Sequence, residues 1–174
     1  MVTLEAILER NNLNRAYKQV KANRGGPGVD GMTVDEFLDY LRAHAVEIVE
    51  TVKAGKYKPQ PVRRVMIPKE EKGKFRPLEI PTAVDRVIQQ VIAQKLSDEY
   101  EPVFSLHSHG FRPCRSCRTA IDEALDIANQ GYVWVVDLDL SKFFDTVNHS
   151  KLLQLLSDKL KDCLLYTSDA ADEL

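Results

Sequence analysis

Two carboxylates interrupt an apolar run in the segment VVDLDLSKFFDTVNH, at residues 135–149. In a strand over residues 132–140, Asp137 and Asp139 would lie on one face near its carboxyl end, because side chains alternate along a strand. Burying a charge is costly unless the charge is paired or bound to a metal. Carboxylate oxygens in an open cleft suit Mg²⁺, which takes one or two carboxylates together with substrate phosphates. A metal site would therefore account for the two acids.

Two simpler interpretations of the same acids stay open. They could face solvent at the end of a strand, as aspartates of folded proteins commonly do. Alternatively, one of them could cap a helix formed by SKFFDTVNH, since an aspartate at the N-cap accepts a backbone hydrogen bond. The pattern alone does not decide between these interpretations and the metal site.

A strongly basic stretch precedes this segment. Residues 53–76 contain nine lysines and arginines against two glutamates, a local charge of +7. Within the stretch, VRRVMIP and FRPLEIP read as two short strands joined by the turn KEEKGK, with prolines at their edges. The cations could simply protect an exposed sheet edge from aggregation. They could also form a phosphate-binding flap, because a rigid hairpin directs several cations at a nucleotide.

The turn-rich segment HSHGFRPCRSC contains a candidate zinc set, formed by His107, His109, Cys114 and Cys117. One Cys-x-x-Cys with two nearby histidines is a weak signal beside paired Cys-x-x-Cys motifs. The favoured interpretation is that the thiols are small buried residues and that the histidines line a loop. For Arg112 and Arg115, structural ion pairing and phosphate contact both stay open.

Helical patterns surround these segments. Apolar residues near the N-terminus share one helical face, which is broken near Asn11 and Asn12: Leu4, Ile7, Leu8, Leu13, Ala16, Tyr17 and Val20. The loop GGPGVDG at residues 25–31 ends this pattern. It reads as a sharp turn, since it lacks the Gly-Lys-Ser/Thr ending of a phosphate-binding P-loop.

Three further helices have recognisable starts. Thr33 with Glu36 forms a capping box, Thr82 with Asp85 caps the next helix, and a third helix starts near Ser116. Glycines follow the first and the third of these helices. Polar residues off the apolar stripe of the second helix could be solvated or could contact nucleic acid: Arg86, Gln89, Gln90 and Lys95.

The composition is that of an ordinary globular chain. With 174 residues and 44% hydrophobic residues, it fits one domain with a real core. A formal net charge of -2 gives no overall indication of a polyanionic partner. No run reaches the roughly 18 apolar residues of a membrane span, and no secretory signal opens the chain. Three cysteines do not make a disulfide framework, which favours a cytoplasmic protein with no membrane partner.

Three motifs in order resemble the group II intron reverse transcriptases, the intron-encoded maturases. They are IPKEEKGKFRPLEIPTAVDRVIQQ, HGFRPCRSCRTAI and VVDLDLSKFFDTVNH, and the resemblance covers residues 10–160. It implies an α+β fold with the fingers of a right-hand polymerase and the start of the palm, helix-rich and with a basic β-hairpin. The expected divisions are an N-terminal extension with the first fingers helices at 1–60, the other fingers elements at 61–131, and the start of the palm at 132–162.

The resemblance also implies roles for single residues of the acidic segment. In this family, an aspartate followed five residues later by an aromatic residue binds the catalytic metals. Asp139 is then the metal ligand and Phe144 the steric gate against a ribose 2′-hydroxyl. The carbonyl of Leu140 is a further candidate ligand, whereas Asp137 and Asp145 are not the catalytic pair.

For the basic residues, the resemblance implies contacts with nucleotide and nucleic acid. Lys69 and Arg76 would meet the incoming triphosphate, a role that also suits their cationic chemistry. Nucleic-acid contacts are assigned to five other arginines and lysines: Arg63, Arg64, Lys74, Arg86 and Arg112.

The implied reaction is template-directed nucleotidyl transfer with two Mg²⁺ ions, in which a primer 3′-hydroxyl attacks the α-phosphate of a dNTP. The implied partners are group II intron RNA, an RNA template with a DNA primer, and dNTPs, in a bacterial cytoplasmic ribonucleoprotein; a homodimer stays open. The family's second acidic motif is absent before Leu174, so the chain is expected to be an inactive fragment alone. Residues 163–174 resemble a translated transposase sequencing adaptor and are expected to be a non-native tail.

Two other functions stay open at this point. The chain could be a non-catalytic RNA-binding module that uses the basic hairpin and the Arg112 region, with no metal role for Asp139. It could also come from a related reverse transcriptase of a diversity-generating, abortive-infection or CRISPR-associated system, because these share parts of the pattern.

Overall fold

The computed structural model describes residues 2–70 and 72–160, and the predicted tail at 163–174 lies outside them. Two strands form an antiparallel hairpin, β1 (Arg63–Pro68) and β2 (Phe75–Ile80). The helices are α1 (Leu4–Ile7), α2 (Arg10–Ala22), α3 (Phe37–Lys53), α4 (Ala83–Tyr100), α5 (Cys117–Asn129), α6 (Phe143–Thr146) and α7 (His149–Leu160). The predicted helix-rich α+β class with a β-hairpin is confirmed.

The core forms where α1 and α2 pack on α4. Its buried apolar side chains come mainly from these helices, with Phe37 at the start of α3: Val2, Leu4, Ile7, Leu8, Ala16, Val20, Val34, Phe37, Ala83, Val87, Val91 and Leu160. The last of these belongs to α7, a helix that was not predicted from the sequence. No helix in the described part of the chain is long and apolar enough to cross a membrane.

The predicted helix break near Asn11 and Asn12 is present but lies slightly earlier in the chain, because α1 ends at Ile7 and α2 already begins at Arg10. Asn12 is buried inside α2. Its Nδ2 donates to the carbonyl oxygens of Ile7 at 2.7 Å and Val91 at 3.0 Å. A buried amide with its donors satisfied is compatible with a helix, and here it ties both N-terminal helices to α4.

The predicted helix starts at Thr82 and Ser116 are confirmed by their side-chain caps. The Thr33–Glu36 box also forms, but it precedes α3, whose N-cap is Glu36 without a side-chain cap hydrogen bond. The backbone N–H of Thr33 donates to Glu36 Oε2 at 3.0 Å, and that of Glu36 donates to Thr33 Oγ1 at 3.4 Å. Thr82 Oγ1 accepts from the backbone N–H of Asp85 at 3.2 Å. Ser116 begins α5 with a complete capping box. These caps satisfy N–H groups that have no partner within a helix.

The predicted strand over residues 132–140 is wrong. The segment has no regular secondary structure, and its apolar side chains are exposed, Trp134 to 94%. A strand is stabilised by a neighbouring strand that pairs with its backbone groups, and the sheet in the described residues consists of the hairpin alone. The alternative helix cap by an aspartate is not observed either, because Lys142 occupies the N-cap of α6.

Candidate nucleic-acid interface

The hairpin places two of its predicted functional arginines on the same face. β1 pairs with β2 so that Arg63 lies opposite Ile80 and Ile67 lies opposite Arg76. Opposed residues share a face of the sheet, and so does every second residue of a strand. Arg63 and Arg76 therefore lie on one face, near opposite ends of the hairpin.

Arg64 lies on the other face, where Glu79 neutralises it. The Nη2 and Nε of Arg64 both donate to Glu79 Oε1, at 2.7 and 3.2 Å. An exposed pair of this kind contributes only about 0 to 1 kcal/mol, so a phosphate could displace the carboxylate. A nucleic-acid contact by Arg64 stays a prediction. Glu79 already neutralises part of the charge of Arg64, so the geometry supports this contact less than it supports one by Arg63.

The tip of the hairpin presents the two predicted triphosphate ligands and a further lysine. The backbone N–H of Lys69 donates to the carbonyl oxygen of Lys74 at 2.8 Å and closes the turn. Gly73 has a φ of 82°, a left-handed conformation that favours glycine. The side chains of Lys69, Lys74 and Arg76 are exposed. Within residues 2–70 and 72–160, no acidic side chain forms an ion pair with Lys69 or Arg76.

Arg86 faces the glycine-rich loop at residues 25–31. Its Nη2 donates to the carbonyl oxygen of Gly26 at 3.0 Å, whereas its buried Nε has no hydrogen-bond partner among the described residues. Burial lowers the pKa of the Arg86 guanidinium, and the charge of Asp30 opposes this effect. The position of Arg86 is thus set by the loop, which gives no geometric support to a nucleic-acid contact.

Arg112 forms the structural ion pair that the sequence left as one alternative. Its side chain is 7% exposed, and its Nη2 donates to Glu101 Oε1 at 2.8 Å. Its Nη1 donates to the carbonyl oxygens of Ser105 at 2.6 Å and Ser108 at 2.9 Å. The hydrogen bond from Arg112 lowers the pKa of the Glu101 carboxyl. All three guanidinium nitrogens are used inside the chain, which leaves little of the group for a phosphate.

The candidate zinc set is not assembled. His107 and His109 instead both contact the carboxylate of Glu123, and their hydrogen bonds lower its pKa. The predicted burial of the thiols is wrong, because Cys114 and Cys117 are exposed. In the part of the chain that the structure describes, no group of three or more His, Cys, Asp and Glu side chains is arranged to hold a metal ion.

Three predicted site residues of the acidic segment line one open pocket of about 590 Å³. Its full lining is Leu138, Asp139, Leu140, Lys142, Phe143, Phe144 and Asp145. Phe144 is 88% exposed. The oxygens of Asp139 and Leu140 are of the type that Mg²⁺ prefers, so the residues present fit part of a magnesium ligand set. No hairpin residue lines this pocket.

Two contacts of acidic side chains were not predicted from the sequence. Glu101 forms a salt bridge with Arg112, and Asp85 accepts a hydrogen bond from the Tyr57 hydroxyl at 2.6 Å. The first contact could have been suggested by the opposite charges of Glu101 and Arg112, which lie 11 positions apart on either side of a turn-rich segment. The second joins residues 28 positions apart without a local pattern, so no sequence signal marks it.

Residues 67–164 match the family model described as reverse transcriptase (RNA-dependent DNA polymerase). The chain is similar to the group II intron-encoded protein LtrA of Lactococcus lactis subsp. cremoris, 39% identical over 147 residues, which cover 84% of this chain and 24% of that protein. Protein YkfC of Escherichia coli (strain K12) is 36% identical over 170 residues, covering 94% of this chain and 44% of YkfC. The putative COX1/OXI3 intron 2 protein of Saccharomyces cerevisiae is 35% identical over 150 residues, covering 84% and 17%. The chain thus spans less than half of each relative.

Proposed function

Because this chain belongs to the reverse transcriptase family, we propose that it forms the fingers and the start of the palm of an RNA-directed DNA polymerase encoded by a group II intron. The observation that carries the proposal is the family match over residues 67–164, which includes both the hairpin tip and the pocket at Asp139. Such a polymerase copies an RNA template from a DNA primer with dNTPs. It would also bind its intron RNA and assist splicing and mobility, a role supported by the similarity to a group II intron-encoded protein.

The hairpin tip would bind the triphosphate of the incoming nucleotide. Lys69 and Arg76 are exposed and have no acidic partner in the described residues, so their charge is available to an anion. Charge-assisted hydrogen bonds to phosphate are roughly twice as strong as neutral ones. Arg63 shares a face with Arg76, and Lys74 flanks the turn, so both would contact the backbone of the template.

The pocket at Asp139 would bind metal and sugar. The Asp139 carboxylate and the Leu140 carbonyl would hold Mg²⁺, which supplies charge neutralisation on the reacting phosphates. Phe144 would exclude a ribose 2′-hydroxyl by steric contact, since its ring lines the same pocket. Transfer with two metals requires more carboxylates than residues 2–70 and 72–160 bring together. We therefore assign the remaining ligands to other palm residues of the polymerase.

Two of the five predicted nucleic-acid contacts receive a different role in this proposal. Arg86 is held by the glycine-rich loop and Arg112 by Glu101. Their cations serve the structure of the fingers, whereas Arg63 and Lys74 remain the proposed contacts. Arg64 is an intermediate case because Glu79 already accepts two of its donors.

Substitution of the metal ligand tests the proposal in the complete polymerase. Loss of groups that merely support a metal ligand typically costs 10–100-fold, so Asp139→Ala should reduce primer extension by more than about 100-fold. Asp137→Ala is the matched control: it removes a carboxylate two positions away that does not line the pocket. Extension by the control should remain close to that of the wild type. Affinity for the intron RNA should be unchanged in both variants.

A non-catalytic RNA-binding module is the second candidate. It is favoured by one observation, that Lys69 and Arg76 on the basic hairpin are exposed and form no ion pair with an acidic side chain in the described residues. The same experiment separates the two functions. If Asp139→Ala leaves primer extension unchanged, the catalytic assignment is rejected, and the basic hairpin remains as an RNA-binding element.

A further inference from the structure

The base of the hairpin is attached to the helical body through one buried carboxylate. Asp85, in the first turn of α4, is 3% exposed. Its Oδ1 accepts from the Tyr57 hydroxyl at 2.6 Å, and its Oδ2 accepts from the backbone N–H of Gln60 at 3.2 Å and from the Thr82 hydroxyl at 2.5 Å. Burial, followed by the contact with Asp85, raises the pKa of the Tyr57 hydroxyl. The carboxylate thus has three donors from three different residues.

These donors come from both sides of the hairpin in the chain. Tyr57 and Gln60 lie just before β1, and Thr82 lies two residues after the end of β2. One carboxylate therefore joins the entry and the exit of the hairpin to α4. Removing a partner from a buried, hydrogen-bonded charge is costly, because the remaining polar groups stay desolvated.

The hairpin has little other packing that could fix its direction. Apolar side chains are exposed on both of its faces: Val65, Met66, Phe75 and Leu78. Most of the free energy that stabilises a globular fold comes from the burial of apolar surface, and the hairpin buries little such surface. Its direction relative to the helices must then depend on the polar contacts at its base.

The glycine-rich loop supports the same turn of α4 from another side. A Cβ on Gly28 would lie 2.8 Å from the backbone nitrogen of Thr82, and one on Gly25 would lie 2.2 Å from Arg86 Nη1. Both separations are shorter than real Cβ contacts. Glycine is required at position 28, where the Cβ would meet backbone, whereas at position 25 the end of the flexible Arg86 side chain would have to move. The next residue after Asp85, Arg86, holds the loop through the carbonyl oxygen of Gly26.

We propose that Asp85 is a positioning residue, which fixes the direction of the basic hairpin relative to the helical body through Tyr57, Gln60 and Thr82. The consequence is preorganisation: Lys69, Lys74 and Arg76 reach a phosphate without the additional cost of ordering the whole hairpin on binding. This consequence for binding rests on the proposed function. The positioning itself does not, because it concerns the free chain.

Residual dipolar couplings of backbone amides measure the direction of the hairpin in the whole chain. In the wild type, couplings from β1 and β2 should fit the same alignment tensor as those from α2 and α4. In Asp85→Ala the hairpin couplings should fall by about half or more, as expected for a segment that moves independently. Those from α2 and α4 should continue to fit one tensor. A merely stabilising residue would not change the hairpin selectively.

The conservative variant Asp85→Asn should rescue the hairpin couplings. With its amide rotated, the oxygen accepts from Gln60 and Thr82, and the nitrogen donates to the hydroxyl oxygen of Tyr57. All three contacts then persist without the charge. Hairpin couplings in Asp85→Asn that are as reduced as those in Asp85→Ala would overturn the assignment of the role to these hydrogen bonds.

The variant Tyr57→Phe tests the same contact by dipolar couplings if the Asp85→Ala variant does not fold. It removes one donor and leaves the buried carboxylate with two, so the hairpin couplings should fall only in part. Tyr17→Phe is the matched control, since Tyr17 packs against Phe37 in the core and not at the hairpin base. Unchanged hairpin couplings in Tyr57→Phe, together with unchanged or globally lost signals in Asp85→Ala, would overturn the proposal.

Fluorescence anisotropy with a single-stranded 20-nucleotide RNA separates this inference from the proposed function. Tyr57→Phe should weaken RNA binding by about 3- to 10-fold, because the hairpin is then more mobile in the free chain and has to be ordered on binding. Absence of RNA binding by the wild-type chain would count against the RNA contact, while the couplings would still decide the positioning. Reduced couplings with unchanged RNA affinity would overturn the preorganisation.

Discussion

The two parts of the candidate site differ in what holds them. The base of the hairpin is hydrogen-bonded to Asp85 in the first turn of α4, and α4 packs with α1 and α2 in the core. The acidic segment at residues 132–147, with Asp139 and Phe144, lacks such a support in the described residues. The apolar side chains from residue 132 to residue 144, among them Trp134, are exposed. Contacts within the described residues thus fix the position of the hairpin, but they do not fix the position of the acidic segment.

This difference follows from where the partners of each strand lie in the sequence. The strands of the hairpin are neighbours joined by a short turn, so each supplies the other's backbone partners. The run at 132–140 is also rich in strand-forming residues but has no neighbour of this kind in the described residues. Its alternation of apolar and acidic residues suits a sheet whose other strands come from distant positions. We expect the geometry of Asp139 to depend on them.

The largest expected effect contrasts a core residue with an exposed one. Phe37 is 1% exposed, and truncating a buried phenylalanine costs about 3–5 kcal/mol, so Phe37→Ala should lower the free energy of unfolding of the chain by that amount. Trp134→Ala should change it by less than about 0.5 kcal/mol, as at other exposed sites. Urea denaturation followed by circular dichroism measures both. An equal loss in the two variants would show that the acidic segment is packed and would remove the contrast.

A smaller effect is expected at the hairpin tip in the complete polymerase. Lys69→Ala and Arg76→Ala should each raise the KM for dNTP by about 10- to 100-fold, since a hydrogen bond to a charged group contributes about 1.5–3 kcal/mol. Arg64→Ala is the control on the opposite face, where the cation is already paired with Glu79. Steady-state primer extension gives KM and kcat separately. An effect of Arg64→Ala as large as that of Arg76→Ala would contradict the division between the two faces.

The smallest expected effect lies between the two regions, at the Glu101–Arg112 pair. Arg112 lowers the pKa of Glu101 in the folded chain. The stabilisation is therefore present above the ordinary carboxyl range and is lost as the pH falls through the lowered pKa. The stability difference between wild type and Glu101→Gln should shrink from about pH 5 to pH 3. Denaturation at several pH values tests this, with the exposed Glu50→Gln as control. A difference that is independent of pH would contradict it.

Local signals were sufficient for much of the fold. The caps at Thr82 and Ser116 and the glycine after α5 mark helix ends by backbone chemistry that involves only a few residues. The hairpin was equally predictable, because its turn and both strands are contiguous. Asn12 was misjudged because its partner Val91 lies 79 positions away. A polar residue that would break an isolated helix is stabilised here by tertiary contacts.

The candidate site was less predictable than the fold. Pattern could identify the cations of the hairpin but could not show that Arg112 is occupied by Glu101 or that Arg86 faces a loop. The proximity of Asp139, Leu140 and Phe144 follows from their closeness in the sequence. Their position relative to Lys69 and Arg76 does not, because it depends on contacts between distant parts of the chain.

Cleavage by a substituted metal tests most directly whether the hairpin and the pocket serve the same nucleotide. In the complete polymerase with template, primer and dNTP, Fe²⁺ in place of Mg²⁺ generates hydroxyl radicals at the metal site on addition of peroxide and ascorbate. The account predicts backbone cuts near residue 139 and also within residues 69–76, both lost in Asp139→Ala and retained in Asp137→Ala. Cuts near residue 139 without any in the hairpin would contradict it.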